Sequence, residues 1–193
     1  MTDKYQNKYR IASARAPWHG YDGGVYFVTI CTAGKKHYFG EVVDAAEPYM
    51  QLSEMGKQAD ACWRAIPEHF PHVELGDFVV MPNHVHGIVI IHGDDISGVQ
   101  SSGGTQSVGE TQDFASLPAC VNQFAPQSRN LASVIRGFKI GVTRYAREHR
   151  LPFGWQPRFY DHIVRDRNEL NRIALYIVDN AVLWAVDELN VAI

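Results

Sequence analysis

The sequence predicts an α+β fold of the ferredoxin-like class, with an additional helix towards its C-terminal end. Four short runs are dense in β-branched and aromatic residues, a composition typical of strands. Two longer runs, and a third near the end, repeat apolar residues at helical spacing. Up to the fourth strand the order is β-α-β-β-α-β, which forms an antiparallel sheet backed by two helices.

Composition and turn signals define the first four elements. Residues 24–32 (GVYFVTICT) predict the first strand. The apolar positions within 49–66 share one face at helical spacing and predict a helix. The runs 73–81 and 84–91 are separated by a Pro-Asn pair, which indicates two strands that neighbour each other in the sheet.

Three further elements follow in the second half of the chain. Residues 129–148 predict a helix with one apolar face, and Ser128 stands where its N-cap is expected. Residues 158–165 (RFYDHIVR) predict the fourth strand. A last helix is expected at about 167–188.

The segment 93–127 differs from the rest of the chain. It is rich in Gly, Ser, Gln and Thr and shows no sustained periodicity, which indicates a flexible insertion. A chain of 193 residues has the length of one domain, so we expect a single domain over 1–193 interrupted by this insertion.

The composition excludes several classes of protein. An apolar fraction of 46% and a charged fraction of 20% are ordinary for a globular protein. No apolar run reaches the roughly 18 residues that a membrane span requires, so we expect a cytoplasmic protein with no membrane partner. The cysteines Cys31, Cys62 and Cys120 lack CxxC spacing and are expected to be reduced thiols.

The charge is distributed unevenly, although its sum over the chain is only −3. Residues 128–172 carry ten Lys/Arg against four Asp/Glu, and residues 1–40 carry six against two, whereas 41–127 carry two against twelve. A nucleic acid is bound by local positive charge, so the first two segments are candidates for contact with phosphates. An ordinary solvated helix face explains the basic residues of 128–150 as well.

The strongest local motif is MPNHVHGIVII. On a strand, His84 and His86 point to one face while Val85 points to the other. Two imidazoles on one face can bind one divalent cation together. An HxH pair by itself also arises by chance in a chain with nine histidines.

A second candidate lies in the last predicted helix, where Tyr176 and Asn180 are four residues apart and share a face. A tyrosine hydroxyl has an ordinary pKa of about 10 and needs help to act as a nucleophile. An amide oxygen is a suitable ligand for Mg²⁺ or Mn²⁺. The alternative is that Tyr176 packs on the sheet and that Asn180 lies near a helix cap.

A third candidate is GWQPRFYDHIVRD, in which aromatic and basic residues alternate. Bases stack on aromatic rings while guanidinium groups meet phosphates, although a strand with one core face has the same pattern. The preceding helix adds further cations. The candidate DNA-binding residues are Arg136, Lys139, Arg144, Arg158, Tyr160, His162 and Arg165.

These segments together resemble one family. VYFVTICT, MPNHVHGIVI, SVIRGFKIGVT, WQPRFYDHIVRD and YIVDN follow each other as in the single-tyrosine HUH transposases, and the nearest branch is that of the REP-associated tyrosine transposases. The resemblance covers roughly 24–184 apart from 93–127. It implies a ferredoxin-like sheet followed by a helix that carries the nucleophile.

The resemblance also implies a set of site residues. His84 and His86 would hold Mg²⁺ or Mn²⁺, Tyr176 would be the nucleophile, and Asn180 would be the third metal ligand. Ala181 stands where the branch has proline, which leaves the ligand role of Asn180 less secure than that of the histidines. Tyr160 is the rival nucleophile.

The activity implied is cleavage and rejoining of single-stranded or hairpin DNA through a 5′-phosphotyrosine link. Such a link stores the energy of the phosphodiester, so ATP is not needed, and no nucleotide-binding glycine motif is present. A homodimer is compatible with the resemblance. Two alternatives stay open: a non-catalytic ferredoxin-like domain that binds nucleic acid, and a metal-dependent phosphoesterase that uses water.

Overall fold

The computed structural model describes residues 4–5, 8–9, 21, 23–93 and 129–190. Two single turns of 3-10 helix, Ala33–Lys35 and Trp184–Val186, accompany the longer elements. The elements of this part of the chain are β1 (Lys4–Tyr5), β2 (Lys8–Tyr9), β3 (Gly24–Cys31), β4 (Gly40–Val43), β5 (Tyr49–Leu52), α1 (Glu54–Arg64), α2 (Ile66–His69), β6 (Val73–Met81), β7 (His84–Ile91), α3 (Leu131–Glu148), β8 (Tyr160–Val164), α4 (Arg167–Val178) and α5 (Asn180–Leu183).

A four-stranded antiparallel sheet organises these elements, with the strand order β6-β7-β3-β8. The first and third of its strands along the chain, β3 and β7, are therefore the central ones. This is the order of a ferredoxin-like sheet, and the predicted α+β class is confirmed. The bounds predicted for β6 and β7 agree with the structure.

The helices α1 and α3 cover one face of the sheet and bury the main core against it. Trp63 of α1 is fully buried, and its ring lies edge-on to Phe138 of α3 at 5.2 Å between centroids. The indole also covers Gly87 of β7, where an added Cβ would come within 2.3 Å of the Trp63 ring. A glycine is needed at that position because the helix approaches the strand so closely.

The helix α4 lies over the opposite face, against β6 and β7. Met81, Ile88 and Ile177 are buried there, outside the main core. The apolar cover is incomplete, since β3 and β8 extend beyond it. Polar side chains of β7 and β3 therefore share this face with a small apolar layer.

The predicted helix 49–66 was wrong at its start. Residues 49–52 form β5, which pairs with β4 in a hairpin that the periodicity did not indicate. The helix begins at Glu54, where the side chain of Ser53 accepts a hydrogen bond from the Gly56 amide at 3.1 Å. A serine N-cap satisfies one of the free amides of the first turn and sets this boundary.

The two later helices also differ in their bounds. Asn130 caps α3 together with Ser133, in a reciprocal capping box, whereas Ser128 lies outside the described residues. The predicted helix 167–188 ends at Val178, and α5 and a 3-10 turn follow. This break turns the end of the chain back towards the sheet.

Nearly all of the predicted insertion 93–127 lies outside the described residues. None of the described helices combines the length and the apolarity that crossing a membrane requires.

Cys31 is a free thiol, whereas Cys62 is disulfide-bonded, which contradicts the expectation that it is reduced.

Candidate metal and tyrosine site

The two histidines of MPNHVHG lie next to each other on the face of the sheet that α4 covers. His84 pairs with Cys31 and His86 with Thr29 across the β7–β3 ladder, so both rings project from the same side. The ring centroids are 4.3 Å apart. The geometry that the HxH spacing predicts is therefore present, and both side chains are buried.

His84 is held in one tautomer by the residue before it. The amide nitrogen of Asn83 donates to the carbonyls of Lys35 and Leu189, which leaves the amide oxygen facing His84 Nδ1 at 2.8 Å. That oxygen can only accept, so Nδ1 carries the proton and Nε2 keeps its lone pair. Within the described residues, the buried Nε2 atom has no hydrogen-bond partner.

His86 links the sheet to the tyrosine of α4. Its Nδ1 is 2.9 Å from the hydroxyl of Thr29, and its Nε2 is 3.3 Å from the hydroxyl of Tyr176. Phe27 stacks on the imidazole at 5.2 Å and meets the Tyr176 ring edge-on at 6.2 Å. The tyrosine ring is thereby placed beside the histidine pair, with 40% of its surface exposed.

Both imidazoles are neutral at about pH 7, because their surroundings disfavour the charged form. Burial lowers the pKa of His86 to about 4. Burial and then the neighbouring His86 lower the pKa of His84 well below its usual range. Neutral imidazoles are the form that binds a metal ion.

Asn180 is also part of this site. Its side chain is fully buried, and neither its oxygen nor its nitrogen has a hydrogen-bond partner among the described residues. It still lies close enough to affect two neighbours. Burial lowers the pKa of His84, and Asn180 raises it in part. Burial raises the pKa of Tyr176, and Asn180 lowers it in part. The Asn180 side chain therefore makes near contacts with His84 and Tyr176, short of hydrogen bonds.

Asp187 is a member of the site that the sequence did not indicate. It follows the last 3-10 turn, and its carboxylate, His84 and His86 offer ligand atoms that all lie within 4.8 Å of one another. The sequence pattern places this residue in a helix that was expected to run to 188. Because that helix breaks after Val178, no spacing rule could have brought Asp187 to the histidines.

The donors suit a divalent metal ion. Neutral imidazoles, carboxylate oxygens and amide oxygens are all donors that proteins use to bind divalent metal ions. The unpartnered Nε2 of His84 and the unpartnered Oδ1 of Asn180 are costly when buried, and a cation between them would satisfy both lone pairs. These residues could therefore hold a metal ion.

A cavity of about 930 Å³ opens beside the pair formed by His86 and Tyr176. Its size lies in the range of ligand-binding clefts. Tyr160 and Arg158 of the WQPRFYDH segment form one wall, and the C-terminal turn forms another. The cavity is lined by Phe27, Thr29, Cys31, His86, Gln156, Pro157, Arg158, Phe159, Tyr160, Asp161, Tyr176, Leu183, Val186, Asp187, Glu188 and Leu189.

The basic residues predicted to contact DNA divide into two groups. Arg136, Lys139, Arg144 and Arg158 line a second cavity of about 890 Å³ along α3, and Arg158 borders both cavities. The ammonium group of Lys139 is engaged within the protein, since it donates to the carbonyls of Gln156 and Arg158 at 2.9 and 2.6 Å. Burial lowers the pKa of Lys139 to about 8.

The other three predicted DNA contacts have separate surroundings. Tyr160 is 60% exposed and lines the first cavity. His162 lies 2.8 Å from a carboxylate oxygen of Glu169, whose other oxygen accepts from the backbone of Arg165 at 2.8 Å. Neither His162 nor Arg165 lines either of these cavities.

Comparison with solved structures identifies the class of fold. The structure of the REP-associated tyrosine transposase bound to a REP hairpin matches 89% of this chain and 73% of that chain, with a TM-score of 0.52 and 18% sequence identity. The chain thus has the fold of the single-tyrosine transposases. No model of a known protein family matches it.

A relative of known sequence defines the family. An uncharacterized protein of Haemophilus influenzae is 34% identical to this chain over 198 residues, which cover 99% of each protein. The chain belongs to the same family as that protein.

Proposed function

We propose that this protein cleaves and rejoins single-stranded or hairpin DNA, with Tyr176 as nucleophile and a divalent metal ion on His84 and His86. The observation that carries the proposal is the distance of 3.3 Å between the Tyr176 hydroxyl and His86 Nε2. That nitrogen is the one His86 would offer to a metal, because Nδ1 is engaged by Thr29. The hydroxyl therefore lies beside the position of a bound cation.

The reaction is a transfer between two oxygen atoms on phosphorus. The Tyr176 oxygen attacks the phosphorus of the scissile phosphodiester, and the bond from phosphorus to the 3′ oxygen breaks. The leaving oxygen takes a proton and becomes a free 3′-hydroxyl, while the 5′ phosphate stays on the tyrosine. The reverse step joins a 3′-hydroxyl to the 5′ phosphate without any other energy source.

The surroundings of Tyr176 favour the protonated form of its hydroxyl. Burial raises the pKa of Tyr176, and the negative charges of Asp187 and Glu188 raise it further. A bound Mg²⁺ or Mn²⁺ would supply positive charge beside the scissile phosphate and the attacking oxygen. Since Tyr176 borders the open cavity, its proton can leave to solvent as the hydroxyl reacts.

The register of the sheet favours Tyr176 over Tyr160. Tyr160 pairs with Thr29, which in turn pairs with His86, so the Tyr160 backbone lies two strands from His86. Strands are spaced by about 4.8 Å, which puts that backbone about 10 Å away. Tyr160 is better placed to stack on a base at the far wall of the cavity.

The partner proposed is a hairpin or single strand, because the similar transposase structure is bound to a hairpin. The basic groove along α3 meets the cavity at Arg158 and offers a path for the phosphate backbone. Mg²⁺ or Mn²⁺ is the proposed cofactor.

The test uses a labelled hairpin oligonucleotide with a single-stranded flank, incubated with protein and an excess of Mn²⁺. Denaturing electrophoresis should show a covalent adduct with the wild type and with Tyr160→Phe. Tyr176→Phe removes one oxygen and should lower the rate of adduct formation by several orders of magnitude, because the attacking group is gone.

Binding of the same oligonucleotide should survive in Tyr176→Phe. Adduct formation by Tyr176→Phe at the wild-type rate would refute the assignment of the nucleophile. Metal-dependent cleavage without any adduct would indicate a phosphoesterase that uses water. Binding with no cleavage by the wild type would favour the non-catalytic domain.

A further inference from the structure

The Asp187 carboxylate lies at the histidine pair, although the sequence motifs do not include it. It reaches the same small space as His84 and His86, with ligand atoms within 4.8 Å of one another. One of its oxygens accepts from the Leu189 amide at 2.7 Å. Within the described part of the chain the other oxygen makes no hydrogen bond, so it is available to a ligand.

Two hydrogen bonds hold the turn that carries Asp187 in place. The Asn83 amide donates to the Leu189 carbonyl at 2.8 Å, and Lys35 Nζ donates to the Glu188 carbonyl at 3.3 Å. Trp184 anchors the preceding turn, since its buried ring lies 6.0 Å from that of His84. Asn83 thus orients His84 and holds the Asp187 turn through one side chain.

Asp187 brings a negatively charged oxygen to a pair of buried imidazoles. A divalent cation on the histidines would gain this anionic oxygen as a ligand.

We propose that Asp187 is a ligand of the metal ion, supplied by the C-terminal turn alongside His84 and His86. This inference rests on the metal site of the proposed function and adds to it a residue far from the histidine motif in sequence. A carboxylate ligand leaves a net charge of +1 on the occupied site, instead of the +2 that neutral ligands alone would leave. It therefore strengthens the binding of the ion.

Glu188 offers a matched control for the test. It is the next residue, bears the same charge and lines the same cavity, but it is not part of the histidine cluster. Mn²⁺ affinity is measured by titration calorimetry on the metal-free full-length wild type, Asp187→Asn, Glu188→Gln and His84→Ala. Folding of each variant is checked by circular dichroism.

Asp187→Asn should weaken Mn²⁺ binding by about 100-fold, at the upper end of what loss of supporting groups around a metal produces. Glu188→Gln removes only a nearby charge and should weaken it by about fivefold or less. Equal affinity of Asp187→Asn and the wild type would overturn this inference and leave the tyrosine and histidine assignments standing. No Mn²⁺ binding by the wild type, or no effect of His84→Ala, would overturn the metal site as a whole.

A second variant gives a spectroscopic readout that a merely structural role would not produce. Asp187→Cys places a thiol at the same point, and a thiolate bound to Cd²⁺ gives an ultraviolet charge-transfer band. We expect Cd²⁺ to induce this band in Asp187→Cys and to lose it when His84→Ala is added. A spectrum identical to that of the wild type, which retains the Cys31 thiol, would overturn the inference even if Asp187→Asn failed to fold.

Discussion

Acidification of the metal-free protein should destabilise it through His86, and the structure sets the size of the effect. The His86 ring is 3% exposed, and burial lowers its pKa to about 4 from an ordinary 6.5. In the unfolded chain the same imidazole takes up a proton as the pH falls through about 6.5. Between these two values the unfolded state binds more protons, so the free energy of unfolding falls as the pH falls.

The difference between the two pKa values of His86, 6.5 in the unfolded chain and about 4 in the folded protein, determines how much stability is lost. At about 1.4 kcal/mol for each pH unit, it amounts to roughly 3 kcal/mol once the pH reaches about 4. The stability is intact above about pH 7 and is lost progressively below it. The pKa of His84 is also lowered, so His84 adds to the loss in the same direction.

The assay is urea unfolding in EDTA from about pH 7.5 to 4.5, followed by tryptophan fluorescence, a range chosen to span the two pKa values. The comparison is with His86→Gln, which keeps a polar side chain next to Thr29 and does not titrate. The wild type should lose about 2 to 3 kcal/mol more than His86→Gln over this range. Parallel curves for the two proteins would refute the reasoning, because His86 would then be protonated equally in both states.

Two further pairs of variants test the packing and the basic groove. Gly87→Ala places a Cβ within 2.3 Å of the Trp63 ring and should cost about 1 to 3 kcal/mol of stability in urea unfolding, as overpacking does. In the control, Gly23→Ala, the added Cβ has no neighbour closer than 3.5 Å. An equal loss of stability in both variants would show that the Trp63 ring moves aside without cost. Lys139→Met should cost about 1 kcal/mol, because two carbonyls lose their donor. Arg136→Met, on the exposed side of the groove, should lower the salt dependence of hairpin binding by about one ion. A salt dependence equal to that of the wild type would remove Arg136 from the DNA path.

The sequence alone determined the elements whose patterns are local. The strands β6 and β7 were predicted with their correct bounds, because they are two short apolar runs separated by a Pro-Asn turn. The pairing of His84 with His86 on one face follows from the twofold alternation of any strand. Local geometry is enough for such features, since every residue involved lies within a few positions of the others.

Helix and strand boundaries that depend on contacts between distant parts of the chain could not be predicted from local patterns. Residues 49–52 have helical periodicity with the segment that follows, yet they pair with 40–43 as a hairpin. The close approach at Gly40, where an added Cβ would meet the Gln51 carbonyl, shows how tightly the two strands fit. Pairing between strands supplied more stabilisation there than the extra helical turn would have.

Local patterns in the sequence predicted only part of the candidate site. His84, His86, Tyr176 and Asn180 follow from motifs, but which atoms meet was decided by α4 crossing the sheet and ending at Val178. Asp187 reaches the histidines because the chain reverses after that end and because Asn83 and Lys35 fasten the turn. Such a position depends on free energies of packing and hydrogen bonding summed over distant segments, and no pattern of neighbouring residues encodes that sum.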